Sequence, residues 1–278
     1  MTRVLILNAD DYGRTAEVSR GIRRSHLQGI VTTTTVMINI PSAISDVHAA
    51  LIETPSLGLG VHLNLTYGKP TAPSDRVSSL IGEDGFFLSR DHLLKKLDAV
   101  HTEHIELEWR TQIESFLQEG ALLDHLDSHH HIAALSEKTW QILLDLCQEY
   151  NCATRPSFPV DISEKEISLI YPQMSVEFAS SEANAMMEHH GIRSADNFFA
   201  SFFGKSASLK HALALLSNLP DGVSELMCHP GFSDDELRST SGYHETRDLE
   251  REILTSAALQ DCVEKHSIML RTYQTAWN

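Results

Sequence analysis

The fold is decided by residues 3–38, which read RVLILNADDYGRTAEVSRGIRRSHLQGIVTTTTVMI. Residues 3–7 form an apolar run of the length that a buried strand needs. Residues 15–28 predict a helix with Gly29 as its C-terminal stop. Residues 33–38 are rich in β-branched side chains and predict a second strand. A strand, a helix and a strand in this order are typical of a parallel βαβ unit.

The same alternation continues along the chain. Further strands are predicted at 57–65, 122–128, 153–155, 223–229 and 268–271, and helices at 42–52, 89–99, 103–119, 136–150, 181–190, 206–218 and 245–264. Seven or eight such units predict one α/β domain over residues 1–278, a closed or nearly closed barrel. A doubly wound open sheet is the alternative, although no G-x-G-x-x-G follows the first strand. Two stretches of weak periodicity, 66–88 and 156–180, are expected to be long loops over one end of the barrel.

Composition excludes several classes of function. The 22 basic and 38 acidic side chains give a net charge of −16, which argues against binding to nucleic acid or to an anionic membrane. No apolar run approaches the roughly 20 residues of a membrane span, and the N-terminal apolar run is too short for a signal peptide. None of the four cysteines forms a C-x-x-C pair, so buried thiols and a cytoplasmic location are expected.

Polar residues stand where active sites form in parallel α/β folds, at the carboxyl ends of strands. Asp10 and Asp11 directly follow the first apolar run. They could also be a solvated turn before the next helix. In the third strand, His62 shares a face with Gly58 and Gly60, which leaves room for a pocket near its ring. A hydrogen-bonded core histidine is the alternative for His62.

Two later strands carry more histidines. Residues 122–131 read LLDHLDSHHH, and an extended chain would turn His125, Asp127, His129 and His131 to one side. So many ionisable groups are unfavourable to bury without partners, and a metal would explain their convergence, with a solvated loop as the alternative. In the seventh strand, Glu225 shares a face with His229, which could be a catalytic acid or base or an isolated histidine. Two imidazoles and one carboxylate from separate strands would make a divalent-metal site with open positions.

The chain resembles the YdjC family of carbohydrate deacetylases, which includes chito-oligosaccharide deacetylases. The resemblance runs through nearly the whole chain, and its matching motifs appear in family order. These motifs are residues 8–13 (NADDYG), 29–32 (GIVT), 60–62 (GVH), 125–131 (HLDSHHH), 227–230 (MCHP) and 256–259. The resemblance implies a distorted (β/α) barrel of seven to eight parallel strands, similar to a TIM barrel. It also implies metal-dependent removal of an acetyl group from an N-acetylated sugar.

The resemblance further implies a role for each matching site residue. Asp11, His62 and His129 would bind the metal, Asp10 would be the general base, and His229 would be the general acid. The family is commonly assigned Mg²⁺, whereas two histidine ligands favour Zn²⁺ as the alternative. The expected partners are a small N-acetylated sugar as substrate and, left open, a second copy of the chain in a homodimer.

One position departs from the family pattern. A further histidine is usual two residues after the last histidine of the fourth motif, and this chain has Ala133 there. The departure bears on substrate preference. Two other functions stay open on the sequence alone, because fold does not fix function. One is a different metal-dependent barrel enzyme, such as an isomerase or phosphoesterase, and the other is a non-catalytic metal- or sugar-binding protein.

Overall fold

A computed structural model describes residues 2–172 and 174–278. Its strands join one parallel sheet, in the order β5-β4-β3-β2-β1-β7-β6, with β8 paired to the start of β1. The strands are β1 (Arg3–Tyr12), β2 (Thr33–Val36), β3 (Gly58–Leu63), β4 (His125–Ser128), β5 (Ala153–Thr154), β6 (Asn197–Phe199), β7 (Gly222–Cys228) and β8 (Ile268–Leu270). Because β7 takes one edge of β1, β2 and β8 share the opposite edge.

Helices connect and cover these strands. They are α1 (Ala16–Leu27), α2 (Ala43–Glu53), α3 (Arg90–Lys96), α4 (Thr102–Gln118), α5 (Glu137–Glu149), α6 (Glu164–Ile170), α7 (Ala183–His190), α8 (Leu209–Ser217), α9 (Asp235–Thr240), α10 (Glu245–Leu254) and α11 (Ala257–Lys265). Their apolar faces bury the outer side of the sheet in one large cluster. The alternation of parallel strands with helices confirms the predicted α/β barrel class.

The barrel is distorted where its two end strands meet. The N–H of Thr154 in β5 donates to the carbonyl of Arg193 at 3.1 Å, in the segment that leads into β6. The hydroxyl of Ser194 donates to the carbonyl of Thr154 at 2.7 Å. Side-by-side segments thus close the ring here, in place of a regular strand ladder.

The first βαβ unit follows its sequence closely. Leu5, Ile6 and Leu7 are fully buried, as expected for a strand covered on both faces. Thr15 caps α1 by accepting a hydrogen bond from the Val18 N–H at 3.2 Å. A Cβ at Gly21 in α1 would lie 2.5 Å from the backbone of Gly231, so only glycine lets α1 approach the loop after β7 so closely.

Several predicted boundaries are wrong. The helix predicted at 245–264 is two helices, α10 and α11, separated at Thr255 and Ser256. The fourth strand begins at His125, because residues 122–124 lie outside the ladder. The sequence also did not predict β6 and α9. The stretch 156–180 was expected to be a loop, yet it contains α6, whose capping box at Ser163 and Glu166 is a sequence signal that was overlooked.

The remaining global expectations concern membranes and thiols. None of the helices in the described part of the chain combines the length and apolar character that a bilayer span requires. Within the described residues, Cys147, Cys152, Cys228 and Cys262 are free thiols, and all four are buried. The expectation of buried thiols is therefore confirmed.

Candidate active site

The two acids at the end of β1 point to different partners. The pairing register of β1 with β2 shifts between Ala9 and Tyr12, and Asp11 has a φ of 70°. This left-handed conformation is uncommon for a residue with a Cβ and is most often found where a site demands it. Asp10 and Asp11 are 3% and 4% exposed. Asp10 contacts Arg155, which directly follows β5, whereas Asp11 faces His62 in β3 and His129 directly after β4.

One ligand atom each of Asp11, His62 and His129 converge where β1, β3 and β4 end. The Oδ1 of Asp11 lies 3.4 Å from Nε2 of His62 and 3.1 Å from Nδ1 of His129. The two ring nitrogens are 3.2 Å apart. The structure therefore brings together the three residues that the resemblance implied as metal ligands. Their sequence separations are large, and the sheet places them at one edge because β1, β3 and β4 all end there.

The donor set fits a metal ion. Among the described residues, buried Asp11 Oδ1 has no hydrogen-bond donor, and neither histidine ring directs an N–H bond at it within bonding geometry. Ligand atoms bound at about 2.0–2.2 Å to one ion lie about 3.0–3.5 Å from one another, which matches the three separations. A cation between these atoms would give the buried Oδ1 of Asp11 the partner that its hydrogen bonds do not provide.

Residues behind His62 fix the tautomer of its ring. The Nδ1 of His62 lies 2.6 Å from Oδ1 of Asp127, so this nitrogen carries the proton and Nε2 faces Asp11. Burial lowers the pKa of His62, but Asp127 and then Asp11 outweigh it and raise the pKa to about 10. The cluster thus holds a positive charge at this position, which a proton or a metal ion can provide.

His129 reaches the cluster through a tight turn. The chain leaves β4 at Ser128, and His130 and His131 adopt φ values of 55° and 53°. The chain therefore does not stay extended through residue 131, which was the condition for His125, Asp127, His129 and His131 to face one side. His125 lies away from the cluster, with Nδ1 3.1 Å from Asp124 and its ring stacked on Tyr273 at 4.1 Å.

The pocket predicted near His62 is present, but it does not extend along β3 to Gly58 and Gly60. A Cβ at Gly60 would lie 2.8 Å from the His125 ring, and one at Gly58 would lie 2.9 Å from Asp124. Side chains of β4 therefore fill the space that the small residues leave. The open volume lies farther along β3, at His62.

Asp10 belongs to a buried ion-pair network. Arg155 donates from Nη1 and Nη2 to the two carboxylate oxygens of Asp10, at 2.8 and 2.6 Å. Its Nη1 also lies 3.0 Å from Asp127, and its Nε donates to Glu225 at 2.7 Å. Burial raises the pKa of Asp10, but Arg155 outweighs it and holds the pKa below its usual range. Asp10 is thus a carboxylate at neutral pH.

A second arginine contacts the other acid. The Nη2 of Arg247, in α10, donates to Oδ2 of Asp11, leaving Oδ1 to the two histidines. Burial raises the pKa of Asp11, and Arg247 followed by His129 lowers it well below its usual range. Sequence reasoning missed both arginines. The sequence does mark Arg155 as a candidate site residue, since it follows a short strand and precedes Pro156. Arg247 lies on a helix, and no sequence feature marks it as a site residue.

His229 follows β7 and lies above Asp10. Its Nε2 is 3.9 Å from Oδ2 of Asp10, and its ring lies edge-on to Phe203 and Tyr243. Burial lowers the pKa of His229 to about 4, although Asp10 and Asp11 raise it. The ring is therefore neutral at pH 7.

Glu225, which the sequence places on the same strand face as His229, contacts other residues. Glu225 accepts instead from Arg155 and from the hydroxyl of Tyr273, below the site. The backbone N–H of His229 donates to Glu250 in α10. Glu250 therefore fixes the loop that carries His229.

These groups form the floor of a cleft of about 400 Å³. One wall is apolar and comes from the 156–180 stretch, which does cover one end of the barrel as predicted. The residues of this wall include Ile162, Ile167, Ile170, Tyr171 and Met174. The cleft is also lined by Arg14, Tyr67, Phe203 and Tyr243. The cleft is large enough for a small organic ligand that reaches both Asp10 and the histidine pair.

Aromatic residues and Ala133 take varied places. Trp109 and Phe87 are buried, and Tyr67 lines the cleft. Phe86 is 45% exposed outside the cleft lining. Ala133 is buried beneath the turn after β4, where its N–H donates to Ser128.

Comparison with known proteins identifies the family to which the chain belongs. A sequence model described as "YdjC-like protein" matches residues 4–265. The chain belongs to the YdjC family. A carbohydrate deacetylase of Thermoanaerobacter pseudethanolicus is 31% identical over 271 residues, covering 98% of each chain. A carbohydrate deacetylase of Enterococcus faecalis is 33% identical over 276 residues, covering 98% of this chain and 97% of the relative.

Solved structures agree on the architecture of this YdjC-like protein. The crystal structure of a candidate cellobiose-phosphate cleavage protein of Enterococcus faecalis superimposes with a TM-score of 0.87, at 33% identity and 99% coverage of both chains. A family 4 carbohydrate esterase of Streptomyces lividans, solved with acetate, has a TM-score of 0.53 at 9% identity, covering 99% of this chain and 95% of its own. The second likeness concerns the fold alone.

Proposed function

We propose that this YdjC-family protein is a metal-dependent deacetylase that hydrolyses the acetamide of an N-acetylated sugar, such as a chito-oligosaccharide. The observation that carries the proposal is the convergence of Asp11 Oδ1, His62 Nε2 and His129 Nδ1 beside the Asp10 carboxylate, on the floor of one cleft. Hydrolysis of an amide needs an activated water, a base and a proton donor for the amine. This cleft holds groups of each kind, and full-length relatives are named carbohydrate deacetylases.

Asp11, His62 and His129 would hold the metal. A bound divalent ion supplies Lewis-acid polarisation of the acetyl carbonyl and lowers the pKa of a water in the site. Asp127 keeps the His62 ring in the tautomer that leaves Nε2 free, through its 2.6 Å contact with Nδ1. The resemblance implies Mg²⁺, whereas a set of two nitrogens and one oxygen favours Zn²⁺. Metal analysis of the purified protein, with reconstitution by each ion, decides between them.

Asp10 would take the proton of the attacking water. Arg155 keeps Asp10 ionised and holds both of its oxygens, so the carboxylate has one orientation towards the cleft. A base at this position contributes about 10²–10⁴ to the rate. The pairing with Arg155 weakens its basicity, which suits a water whose own acidity is increased in the site.

His229 would deliver a proton to the departing amine, because an amine leaves poorly as an anion. With a pKa of about 4, His229 starts neutral at pH 7 and has to receive a proton before it can donate one. Asp10 lies 3.9 Å away from its Nε2 and gains a proton as water attacks. One proton of the water thus passes from Asp10 to His229 to the nitrogen, which gives the free amine and acetic acid, and the acid then releases its own proton to become acetate.

The test is acetate release from diacetylchitobiose by the metal-loaded protein, followed by mass spectrometry for loss of one acetyl group. A panel of N-acetylated sugars of different length, with a phosphorylated disaccharide included, would define the substrate. Release that disappears on chelation and returns with one ion supports the proposal. A protein that retains a tightly bound metal and releases no acetate from any sugar would instead be a different barrel enzyme or a binding protein.

A further inference from the structure

We propose that Phe203, backed by Tyr243, is the platform on which the sugar ring bearing the acetamido group stacks. The inference rests on the proposed function and names a specificity-determining residue for it. Phe203 is 46% exposed and lines the cleft. Removing this exposed phenyl surface from water is favourable, so an apolar surface of a ligand would bind against it. The C–H face of a pyranose ring is such a surface.

The geometry of the pair leaves part of the Phe203 side chain exposed. The rings of Phe203 and Tyr243 are parallel within 4°, with centroids 4.4 Å apart. Arg247 lies on the Tyr243 ring as well, with Cζ 5.6 Å from its centroid. Tyr243 therefore covers one face of Phe203, and the exposed 46% of this cleft-lining side chain comes from the rest of its surface. Offset stacking is one of the two arrangements that pairs of aromatic side chains favour, so the contact with Tyr243 stabilises the position of the Phe203 ring.

The platform is held rigid by its neighbours. The hydroxyl of Tyr243 donates to Glu250 and accepts from the Gly204 N–H at 3.0 Å. Asp161 accepts from the N–H groups of Ala200 and Ser201, at 2.9 and 3.1 Å. Both sides of the loop that carries Phe203 are thus fixed before any ligand arrives. Binding on a preformed surface avoids much of the entropic cost of ordering it.

The position of the platform matches the required position of the sugar. In the proposed reaction His229 reaches the amide nitrogen, and that nitrogen is bonded directly to the pyranose ring. With the nitrogen in hydrogen-bond reach of His229, the centre of the sugar ring lies within about 6 Å of the imidazole. The Phe203 ring centroid lies 5.2 Å from that of His229. The acetyl group then points to the metal site, and the sugar ring covers Phe203.

Substitution of Phe203 separates sugar recognition from chemistry. Binding of diacetylchitobiose is measured by isothermal titration calorimetry in the metal-loaded Asp10→Asn protein, whose turnover is expected to be slow. Phe203→Ala should weaken binding about tenfold, and Phe203→Tyr should restore it. In the protein with Asp10 intact, Phe203→Ala should lower kcat/KM for acetate release from the sugar about tenfold. Hydrolysis of methyl acetate, which has neither a sugar nor an aromatic ring, should change by less than about twofold.

Phe86→Ala is the matched control, because Phe86 is 45% exposed but lies outside the cleft lining. It should leave both sugar binding and ester hydrolysis unchanged. Equal sugar binding by Phe203→Ala and its parent, or an equal loss in Phe86→Ala, would overturn the inference, as would absence of binding by the parent. Sugar binding that depends on Phe203 without any acetate release would uphold the platform and reject deacetylation.

Discussion

Arg155 binds both oxygens of Asp10, at 2.6 and 2.8 Å, and the same guanidinium contacts Asp127 and Glu225. Asp127 in turn holds His62, so one buried cation connects the proposed base to the proposed metal ligands. A second group of side chains in this network could also hold a cation. It consists of Asp10, His62 and Asp127. Arg155 contacts both carboxylates of that group and thus supplies its positive charge.

Removal of this guanidinium should destabilise the protein strongly. Arg155→Met leaves Asp10, Asp127 and Glu225 buried without their cation, and breaking a buried ion pair costs about 3–5 kcal/mol. Urea unfolding of the chelator-treated protein measures this loss in free energy. Arg110→Met is the control, since Arg110 bridges Glu106 and Glu149 on the surface and should cost less than about 1 kcal/mol. Similar losses in the two variants would contradict the buried network.

Substitution of the two neighbouring acids by asparagine should have different effects on metal binding and on turnover. Asp11→Asn should lose metal affinity and activity together. Asp10→Asn should retain the metal and lose turnover by a factor of about 10²–10⁴, the usual contribution of a general base. Metal content by mass spectrometry and acetate release are measured on the same samples. The division of roles is wrong when both variants bind metal normally or both lose it.

Asp127→Asn should weaken metal binding without removing a ligand. The variant loses the acceptor that holds the Nδ1–H of His62, and groups in this position are typically worth 10- to 100-fold in metal affinity. Competition with a chelator measures the dissociation constant. Asp124→Asn is the matched control, because Asp124 makes the same kind of contact with His125, away from the cleft. Metal affinity that is unchanged in Asp127→Asn, or lowered equally in both, would contradict the assignment.

Sequence periodicity predicted the class of fold because local patterns set it. Residues 3–38 carry an apolar strand, a capped helix and a β-branched strand, and all three appear with shifts of a few residues. The helix predicted at 245–264 failed because its apolar spacing continues through Thr255 and Ser256, where the structure turns. The strand β6 was not predicted because three residues are too few to show a period-2 pattern of apolar side chains.

The candidate site was only partly predictable, for a physical reason. Asp10, Asp11 and His62 end apolar strands, and the rule that sites form at carboxyl ends places them together. No sequence rule predicts the left-handed turn at His130 and His131, so the direction in which each histidine after β4 points could not be derived. Arg247 and Tyr243 come from the region of α10, and only the packing of that helix against α1 and the β7 loop brings them to the cleft.

Stability should fall with rising pH through Glu250. Burial raises the pKa of Glu250 to about 7, although the Tyr243 hydroxyl and the His229 N–H lower it. The folded protein thus keeps a proton that the unfolded chain releases near pH 4.5, and this contribution is lost as the pH rises to about 7. The free energy of unfolding of Glu250→Gln, relative to that of the parent protein, should therefore rise by about 3 kcal/mol between pH 4.5 and pH 7. Parallel curves of unfolding free energy against pH would contradict the prediction.

His229 should act on the leaving group. Its Nε2 lies 3.9 Å from Asp10, close enough to take part in moving a proton across the cleft. His229→Ala should lower kcat with little change in bound metal. It should harm amide hydrolysis more than ester hydrolysis, because an alkoxide or phenoxide leaves with less help from an acid than an amine does. N-acetylglucosamine oligomers and 4-nitrophenyl acetate are compared on the parent and the variant. Equal losses on both substrates would assign His229 to oxyanion stabilisation or to structure, and loss of metal would make it a ligand.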